Sequence, residues 1–261
     1  TLTPLEIAQL PDDPAAFEQV LRQMAGPNAT ITVDGFRRSS LPPKSAIALI
    51  IIKWADLSAE THAQGSVSVE IITKPGNSTM EGQVTLALQP AAWAADDAFS
   101  DRAGATNDGL GLSLSGPIWK GRTSYLAYVR ASRTRDPSSV TADLPGGGPV
   151  PQGAEAIWSR VDADWQVSHQ FGRAAFLRVG GTVQRQVGDH LGVGGLDLPE
   201  RGVSSRTAED TLRVSLFAGR DAKLFNHLRA WLRLASSETV PVSNAPAILV
   251  SGAFNAGGRN S

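Results

Sequence analysis

The chain has 261 residues, a formal net charge of -1 and no cysteine. A nearly neutral charge gives no general attraction to nucleic acid or to an acidic partner, and the lack of cysteine excludes disulfides and thiolate metal sites. No stretch approaches the roughly 20 apolar residues that a membrane-spanning helix needs. These features exclude a helical membrane protein but not a transmembrane barrel, whose strands hide their apolar residues in alternation.

Neither end of the sequence has the signals of a complete exported chain. Residues 1–10 lack the basic stretch and apolar core of a signal peptide, and residues 253–261 are turn-forming residues without a closing strand. We therefore expect the sequence to be a piece of a longer protein.

Residues 1–78 predict a small α/β domain. Asp13 is a good N-cap, Pro14 fits the first helical position, and Gly26 supplies the C-terminal stop of one helix. Apolar residues recur between them at helical spacing: Phe17, Val20, Leu21 and Met24. Three further segments predict strands of a small mixed sheet: 30–33, 47–53 and 67–73.

From Glu81 onward the pattern changes to strict alternation of apolar and polar residues. In 161–167, for example, Val161, Ala163 and Trp165 share one face, while Asp162 and Asp164 share the other. We count about eight antiparallel strands in 79–261: roughly 81–92, 107–118, 122–133, 155–169, 174–187, 207–219, 223–236 and 246–254.

Such alternation fits either a soluble β-sandwich or a transmembrane barrel with its apolar face in lipid. Three features favour the barrel: strands of about 9–13 residues, short turns that alternate with long loops, and aromatic residues near strand ends. The aromatic residues that could form interfacial girdles are Trp93, Trp119, Tyr125, Trp158 and Phe176. Because a plugged lumen needs on the order of 22 strands, we expect the barrel to be incomplete here.

Four segments resemble a known family. They are residues 31–37 (ITVDGFR), 41–47 (LPPKSAI), 65–76 (GSVSVEIITKPG) and 111–125 (GLSLSGPIWKGRTSY). The first three resemble the plug domain of TonB-dependent outer-membrane receptors. The fourth is similar to the early barrel hairpin of a subgroup that often has a carboxypeptidase-regulatory-like domain upstream. The family's usual Arg-Gly-Pro after the second long plug strand is replaced by Trp54-Ala55-Asp56-Leu57.

The resemblance implies a plug-like α/β domain over 1–78, followed over 79–261 by the first strands of an outer-membrane β-barrel. It implies energy-coupled uptake of a scarce, bulky ligand and no enzymatic activity. The implied partners are outer-membrane lipid, an unknown small or oligomeric ligand and, if a coupling box lies upstream, a TonB-type inner-membrane complex. No such box precedes Thr3. No cofactor and no nucleic acid are implied.

Two groups of residues are candidates for contacts with ligand or plug. Arg37 and Arg38, on a loop after Asp34-Gly35, are the best candidates for contact with an anionic ligand, although pairing with the barrel wall is the simpler interpretation. The second group is predicted to line the lumen and to anchor the plug through carboxylates such as Glu60 and Glu70. It comprises Arg160, Asp162, Asp164, Arg178, Arg213, Arg229 and Arg233.

Other polar residues have simpler explanations than catalysis or metal binding. Asp162 and Asp164 could form an acid/base pair or a calcium site, but solvated lining is the better interpretation. The histidines (His62, His169, His190 and His227) lack ligand spacing, and Gly192–Gly195 is interpreted as a loop. The sequence therefore predicts no catalytic residue and no metal site.

Two alternatives to a transporter stay open. The chain could belong to a structural or adhesive outer-membrane protein without active import, or to a soluble β-sandwich that binds a ligand. The direction in which the apolar stripes point decides between the barrel and the sandwich.

Overall fold

The computed structural model describes residues 1–11, 14–38, 41–54, 67–74, 79–90, 105–146, 153–172, 174–221 and 224–259. Two compact units make up the chain. The first comprises Thr1–Met80 together with Ser115–Leu126, and the second comprises Glu81–Leu114 together with Ala127–Ser261. Within the described residues, no helix is both long enough and apolar enough to cross a membrane.

The first unit packs two helices on a four-stranded sheet. The helices are α1 (Pro4–Ala8) and α2 (Pro14–Ala25), and the strands are β1 (Thr30–Val33), β2 (Phe36–Arg37), β3 (Ile47–Lys53) and β4 (Ser68–Thr73). The sheet order is β2-β1-β4-β3, with β1 and β4 parallel and the other pairs antiparallel. The sheet is therefore mixed, as predicted. Helix α2 begins at Pro14 and ends just before Gly26, also as predicted. Asp13, the predicted N-cap, lies outside the described residues.

Apolar side chains from both helices and from three strands form one core. Leu21 of α2, Ile50 of β3 and Ile71 of β4 have no measurable exposure. The same cluster contains Ile7, Phe17, Ala25, Ala29, Val33, Ile47 and Val69. Burial of Ile7 shows why α1 is stable in this context even though five residues are too few for a helix alone.

Helix α1 was not predicted, and polar side-chain contacts define both of its ends. The Thr3 N–H and hydroxyl donate to Glu6 Oε2 over 2.7 and 2.8 Å, which forms a capping box. These two bonds, the backbone bond first, lower the pKa of Glu6. At the other end, Lys44 Nζ donates to the carbonyls of Ala8 and Leu10 over 3.1 and 2.5 Å.

The second long stretch of the chain forms a seven-stranded sheet in which each strand lies beside its neighbours in the sequence. The strands are β5 (Glu81–Gln89), β6 (Thr106–Trp119), β7 (Thr123–Pro137), β8 (Glu155–Phe171), β9 (Ala175–Leu191), β10 (Val203–Asp221) and β11 (Leu224–Pro241). Within the described residues β5 and β11 are the sheet edges, so this sheet is open.

The connections alternate in length, as predicted. Three residues separate β6 from β7 and β8 from β9, whereas 17 residues separate β7 from β8 and 11 separate β9 from β10. We call the two ends of the sheet the short-turn end and the long-loop end. Strands β6 to β11 are 14 to 19 residues long, longer than predicted, because backbone pairing continues beyond the alternating segments.

The predicted eighth strand, 246–254, is wrong. Its residues form a separate two-stranded hairpin of β12 (Ile248–Val250) and β13 (Phe254–Ala256). Gly252, with φ +74°, adopts the left-handed conformation that lets the chain reverse between these strands.

Candidate functional site

Cross-strand register sorts the side chains of β8 to β11 into two faces. Asp164 pairs with Thr182, Thr182 with Thr211, and Thr211 with Arg233. Because paired residues share a face, one face has the even-numbered residues of β8 and β9 and the odd-numbered residues of β10 and β11. We call it the polar face and its opposite the apolar face.

On β8 to β10 the polar face is the buried one, whereas residues 230–240 of the edge strand β11 are exposed on both faces. Eight of its polar residues have only 2% to 9% of their surface exposed, which is unusual for side chains of this kind. They are Asp162, Asp164, Gln166, Ser168, Thr182, Gln184, Arg213 and Ser215. Asp162 and Asp164 are therefore not solvated, which corrects the sequence interpretation.

The apolar face is exposed. Its large side chains have 39% to 62% of their surface accessible: Val161, Trp165, Val183, Leu212, Leu228, Leu232 and Leu234. The same alternation continues in β5 and β6, where Val84, Leu86, Leu88, Leu110, Leu112 and Leu114 are exposed. Together these side chains form what we call the apolar belt, and its exposure is the reverse of the arrangement in a soluble sandwich.

One arginine connects three strands on the polar face. From β10, the two Nη atoms of Arg213 reach across β9, donating to Thr182 Oγ1 over 2.6 Å and to Asp164 Oδ2 of β8 over 2.7 Å. Thr182 Oγ1 also donates to Asp164 Oδ2 over 2.7 Å. Gly180 stands between Arg213 and Gln166 in the register and has no side chain to block the crossing. Both charges of this ion pair are buried, so each depends on the other.

Two other arginines predicted to line the lumen pair with carboxylates of the same sheet. Arg160 Nε lies 2.7 Å from Asp162 Oδ2, and Arg233 Nη2 lies 2.8 Å from Glu209 Oε2.

The remaining two lumen arginines contact aromatic rings. Arg229 Nε donates to His227 Nε2 over 3.0 Å, and the guanidinium of Arg178 lies 5.4 Å from the centre of the Phe176 ring.

In the first unit, Glu70 of β4 forms a salt bridge with Lys53 of β3 at 3.0 Å, and anchoring of the lumen arginines by Glu70 stays a prediction. Glu60 lies outside the described residues. Arg160, Arg213 and Arg233 each form a salt bridge with a carboxylate of the large sheet, since carboxylates at nearby positions of the same face are within reach.

The predicted aromatic girdle is only partly correct. Trp158 and Phe176 have even numbers on β8 and β9 and so belong to the polar face. Tyr125 has the parity of the exposed Val129 on β7. Trp119 is exposed near the short turn, where Arg122 lies 4.7 Å from its ring centre, and Trp93 lies outside the described residues.

In the first unit, Arg37 does not lie on a loop. It belongs to β2, opposite Thr32, and is exposed, whereas Arg38 is half-buried just after that strand. The preceding Asp34, at φ +52°, accepts bonds from Thr73 N–H and Thr73 Oγ1 over 3.0 and 2.7 Å. The turn before Arg37 is thus fixed to the end of β4.

At the long-loop end of the large sheet, three loops form a cluster that the sequence did not predict. Backbone bonds join Thr141 N–H to the Gly195 carbonyl over 2.8 Å and Leu198 N–H to the Asn255 carbonyl over 3.0 Å. Ala142, Leu198 and Ala256 form its small apolar core. We call this the three-loop cluster; it combines parts of 138–144, 192–202 and 242–259.

Asp197 is the polar centre of the three-loop cluster. Its carboxylate accepts from Asn255 Nδ2 and Arg259 Nη2, both over 2.9 Å, and lies 3.6 Å from Arg201 Nε. Buried Arg201 also donates to the Gly258 carbonyl over 2.7 Å. The one sequence signal for this cluster was the glycine run 192–195, which we interpreted only as a loop.

Among the residues that the structure describes, no group of three histidine or carboxylate side chains is arranged to hold a metal ion. His169 packs edge-on against Phe171, and His227 stacks on Phe217 with ring centres 3.7 Å apart. His62 lies outside the described part of the chain. On the polar face, the side chains that the structure describes form ion pairs and hydrogen bonds rather than a metal site.

No protein-family model matches the chain, and no curated protein matches it either. Solved structures do. The siderophore receptor PirA from Pseudomonas aeruginosa superimposes with a TM-score of 0.63 at 16% identity, over 92% of this chain and 40% of that one. The ferric enterobactin receptor PfeA of the same organism gives 0.60 at 18% identity, over 91% and 40%.

A third solved structure, the siderophore receptor PirA from Acinetobacter baumannii, gives a TM-score of 0.59 at 16% identity, covering 92% of this chain and 36% of that one. The chain thus spans about two fifths of the length of these proteins. All three are receptors by name. The chain has the fold of the TonB-dependent outer-membrane receptors, as the sequence predicted.

Proposed function

We propose that this chain forms the plug (1–78) and the first barrel strands (79–261) of an outer-membrane receptor that imports a bulky ligand. The main observation behind this proposal is that leucines and valines of the large sheet are exposed while charged residues are buried. In water this arrangement is unfavourable, since exposed apolar surface costs about 25 cal/mol per Å². In a bilayer the same arrangement is stable.

The dimensions of the apolar belt support a bilayer location. On β8 the apolar face runs from Phe171 to Val161, which pairs with Arg185. These ten steps (171 − 161) span about 33 Å along the strand, or about 25 Å across a membrane at a tilt of about 40°. Above them, Arg185 forms a two-bond ion pair with Asp210, at 2.8 and 2.9 Å. Such a charged pair suits the headgroup level.

The names of the similar structures suggest a siderophore as the ligand class, with energy from a TonB-type complex acting on the plug. The long-loop end, with its three-loop cluster, is the side proposed to face the outside of the cell, because barrels have long outer loops and short inner turns. Arg37 and Arg38 stay candidates for ligand contact. The residues predicted to line the lumen stay candidates for that role: Arg160, Asp162, Asp164, Arg178, Arg213, Arg229 and Arg233.

The full-length protein, expressed in the outer membrane of iron-starved cells, provides the test. We expect extraction only with detergent, heat-modifiable migration on a gel, and accumulation of radioactive iron from ferric enterobactin or another ferric siderophore that stops when the inner membrane is de-energised. Membrane insertion without uptake of any siderophore tested would favour the structural or adhesive alternative. A protein that stays soluble and folded without detergent would refute the barrel.

A further inference from the structure

Side chains of three strands form a patch on the polar face, near its long-loop end. Cross-strand pairing joins them in rows, with Arg160 beside Gln186 and Gln186 beside Thr207, and with Asp162 beside Gln184. We call this the amide patch, and it comprises Trp158, Arg160, Asp162, Gln184, Gln186 and Thr207. Its three members on β8 follow one another in two-residue steps, so they span about 13 Å along the strand.

Trp158 supplies an aromatic ring at one end of the amide patch. Its cross-strand partner is Gly188, and a Cβ atom built on Gly188 would come within 2.7 Å of the Trp158 ring atom Cζ3. The indole therefore packs over the bare backbone of β9. Trp158 is half-buried, so part of its ring surface stays accessible. The negative face of an aromatic ring attracts the C–H groups of a saturated ring that packs on it.

Asp162, at the other end, has a hydrogen-bond acceptor that the protein leaves unused. Its Oδ2 accepts from Arg160 Nε over 2.7 Å. Its Oδ1 is buried and has no hydrogen-bond partner in the described part of the chain, although only 8% of the residue is exposed. A buried acceptor without a donor is costly. A hydroxyl group of a ligand would satisfy this oxygen, because an ionised carboxylate can only accept.

The amide patch has no net charge. Arg160 and Asp162 are its charged members, and they pair with each other. Gln184, Gln186 and Thr207 add neutral amides and a hydroxyl, groups that both donate and accept hydrogen bonds. A patch of this kind gives no electrostatic preference for an ionised ligand and suits a neutral molecule with many hydroxyl groups.

We propose that the amide patch binds an oligosaccharide, with one sugar ring packed on Trp158 and a hydroxyl of a later ring donating to Asp162 Oδ1. The length of the patch fits an extended oligomer better than a single small ring. The inference rests on the proposed receptor function, in which the polar face lines the passage through the barrel. It adds a ligand class that the names of the similar structures do not suggest.

The test measures sugar binding by the full-length protein in lauryldimethylamine oxide, a detergent without a sugar headgroup. Maltoheptaose, cellohexaose and xylohexaose are titrated separately by calorimetry, and we expect saturable binding of at least one. Trp158→Ala should weaken that binding about tenfold or more, since buried tryptophans dominate binding energies. Trp158→Phe should keep much of it, because an aromatic ring remains. Asp162→Asn should weaken it about tenfold by removing a charge-assisted bond.

Trp165→Phe is the matched control, because Trp165 lies on the same strand but on the apolar face, and it should bind sugar like the unmodified protein. Binding of none of the three sugars, equal affinity in Trp158→Ala, or an equal loss in Trp165→Phe would overturn the proposed site. Uptake of a ferric siderophore by the same protein is measured in parallel. Uptake without sugar binding would refute the amide patch alone, whereas a protein that stays soluble without detergent would refute the receptor.

Discussion

The indole ring of Trp165 on β8 lies over Gly181, its cross-strand partner on β9. A Cβ atom built on Gly181 would come within 2.7 Å of the indole Nε1. The ring thus covers a backbone that has no side chain of its own, and this arrangement pins the register of the two strands. It also continues the apolar face across a position where glycine would leave a gap.

Gly181→Ala should destabilise the sheet by about 1–3 kcal/mol, because the indole must leave its position to admit the new methyl group. Gly111→Ala is the control, since its Cβ would lie 3.5 Å from Thr85 Cβ, an ordinary contact. Urea unfolding of the full-length protein in detergent micelles measures both. Equal free energies of unfolding for the two variants would contradict a specific role for the covered glycine.

Asp164→Asn should be far more damaging than loss of an exposed ion pair. It leaves the buried charge of Arg213 without its carboxylate, at a cost of about 3–5 kcal/mol. Arg233→Gln removes the pair with Glu209, in which the arginine side chain is 58% exposed, and should change the free energy of unfolding by at most about 1 kcal/mol.

The double variant Asp164→Leu with Arg213→Met provides the second arm of this experiment. Replacing both charges with apolar side chains should recover much of the loss, because no buried charge is left unpaired. If Asp164→Asn were as stable as the unmodified protein, the burial of this pair would have to be rejected.

Asp197→Asn should loosen the three-loop cluster without unfolding the sheet. The charge-assisted bond from Arg259 weakens, and such bonds contribute about 1.5–3 kcal/mol. We expect amide hydrogen exchange in 253–258 to accelerate about tenfold or more, while β9 and β10 stay protected. Asp143→Asn serves as control, since Asp143 joins the cluster through its main-chain N–H to the Ala253 carbonyl.

The stability of the first unit should depend on pH through Glu6. Because its folded-state pKa is lowered by the bonds from Thr3, its contribution is complete above the ordinary pKa of glutamate and is lost as the pH falls through the lowered value. Glu6→Gln should remove this acid-range dependence. Hydrogen exchange of α1 amides between neutral and acidic pH measures it, and identical pH profiles would refute the capping role.

Cysteine labelling can place the membrane boundary, since these 261 residues contain no cysteine. Ser204 and Leu212 share one face of β10, on either side of the Arg185–Asp210 pair. In intact outer membranes, Ser204→Cys should react with a membrane-impermeant maleimide and Leu212→Cys should not. Comparable labelling of both would place the belt in water.

Local patterns predicted the elements whose signals lie within a few neighbouring residues. Pro14 and Gly26 delimited α2, and the alternation around Leu212 and Arg213 assigned each to its face. The eighth strand failed because a brief apolar run from Ile248 to Val250 is compatible with a short hairpin as well as with a long strand.

The polar contacts could not be predicted in the same way. The bond from Arg213 to Asp164 depends on the registers of two strand pairs, and a shift by one residue would place the two side chains on opposite faces. Asp197 and Arg259 lie 62 residues apart, so only the folded loops bring them together. The sequence nevertheless contained the signal for α1, since Thr3 and Glu6 have the spacing of a capping box.

Charged and hydroxyl residues form the buried polar face of β8 to β10. In these strands, therefore, exposed apolar positions should tolerate mutation and buried polar positions should not, which is the opposite of most proteins. Exchanges among Leu, Val and Ile at positions such as Leu212 and Val183 should have little effect on stability. Ser168 and Ser215, small residues that would ordinarily be replaceable, lie at the least accessible positions of those strands. Sequence variation among natural variants of this protein should therefore concentrate at its leucines and avoid its serines.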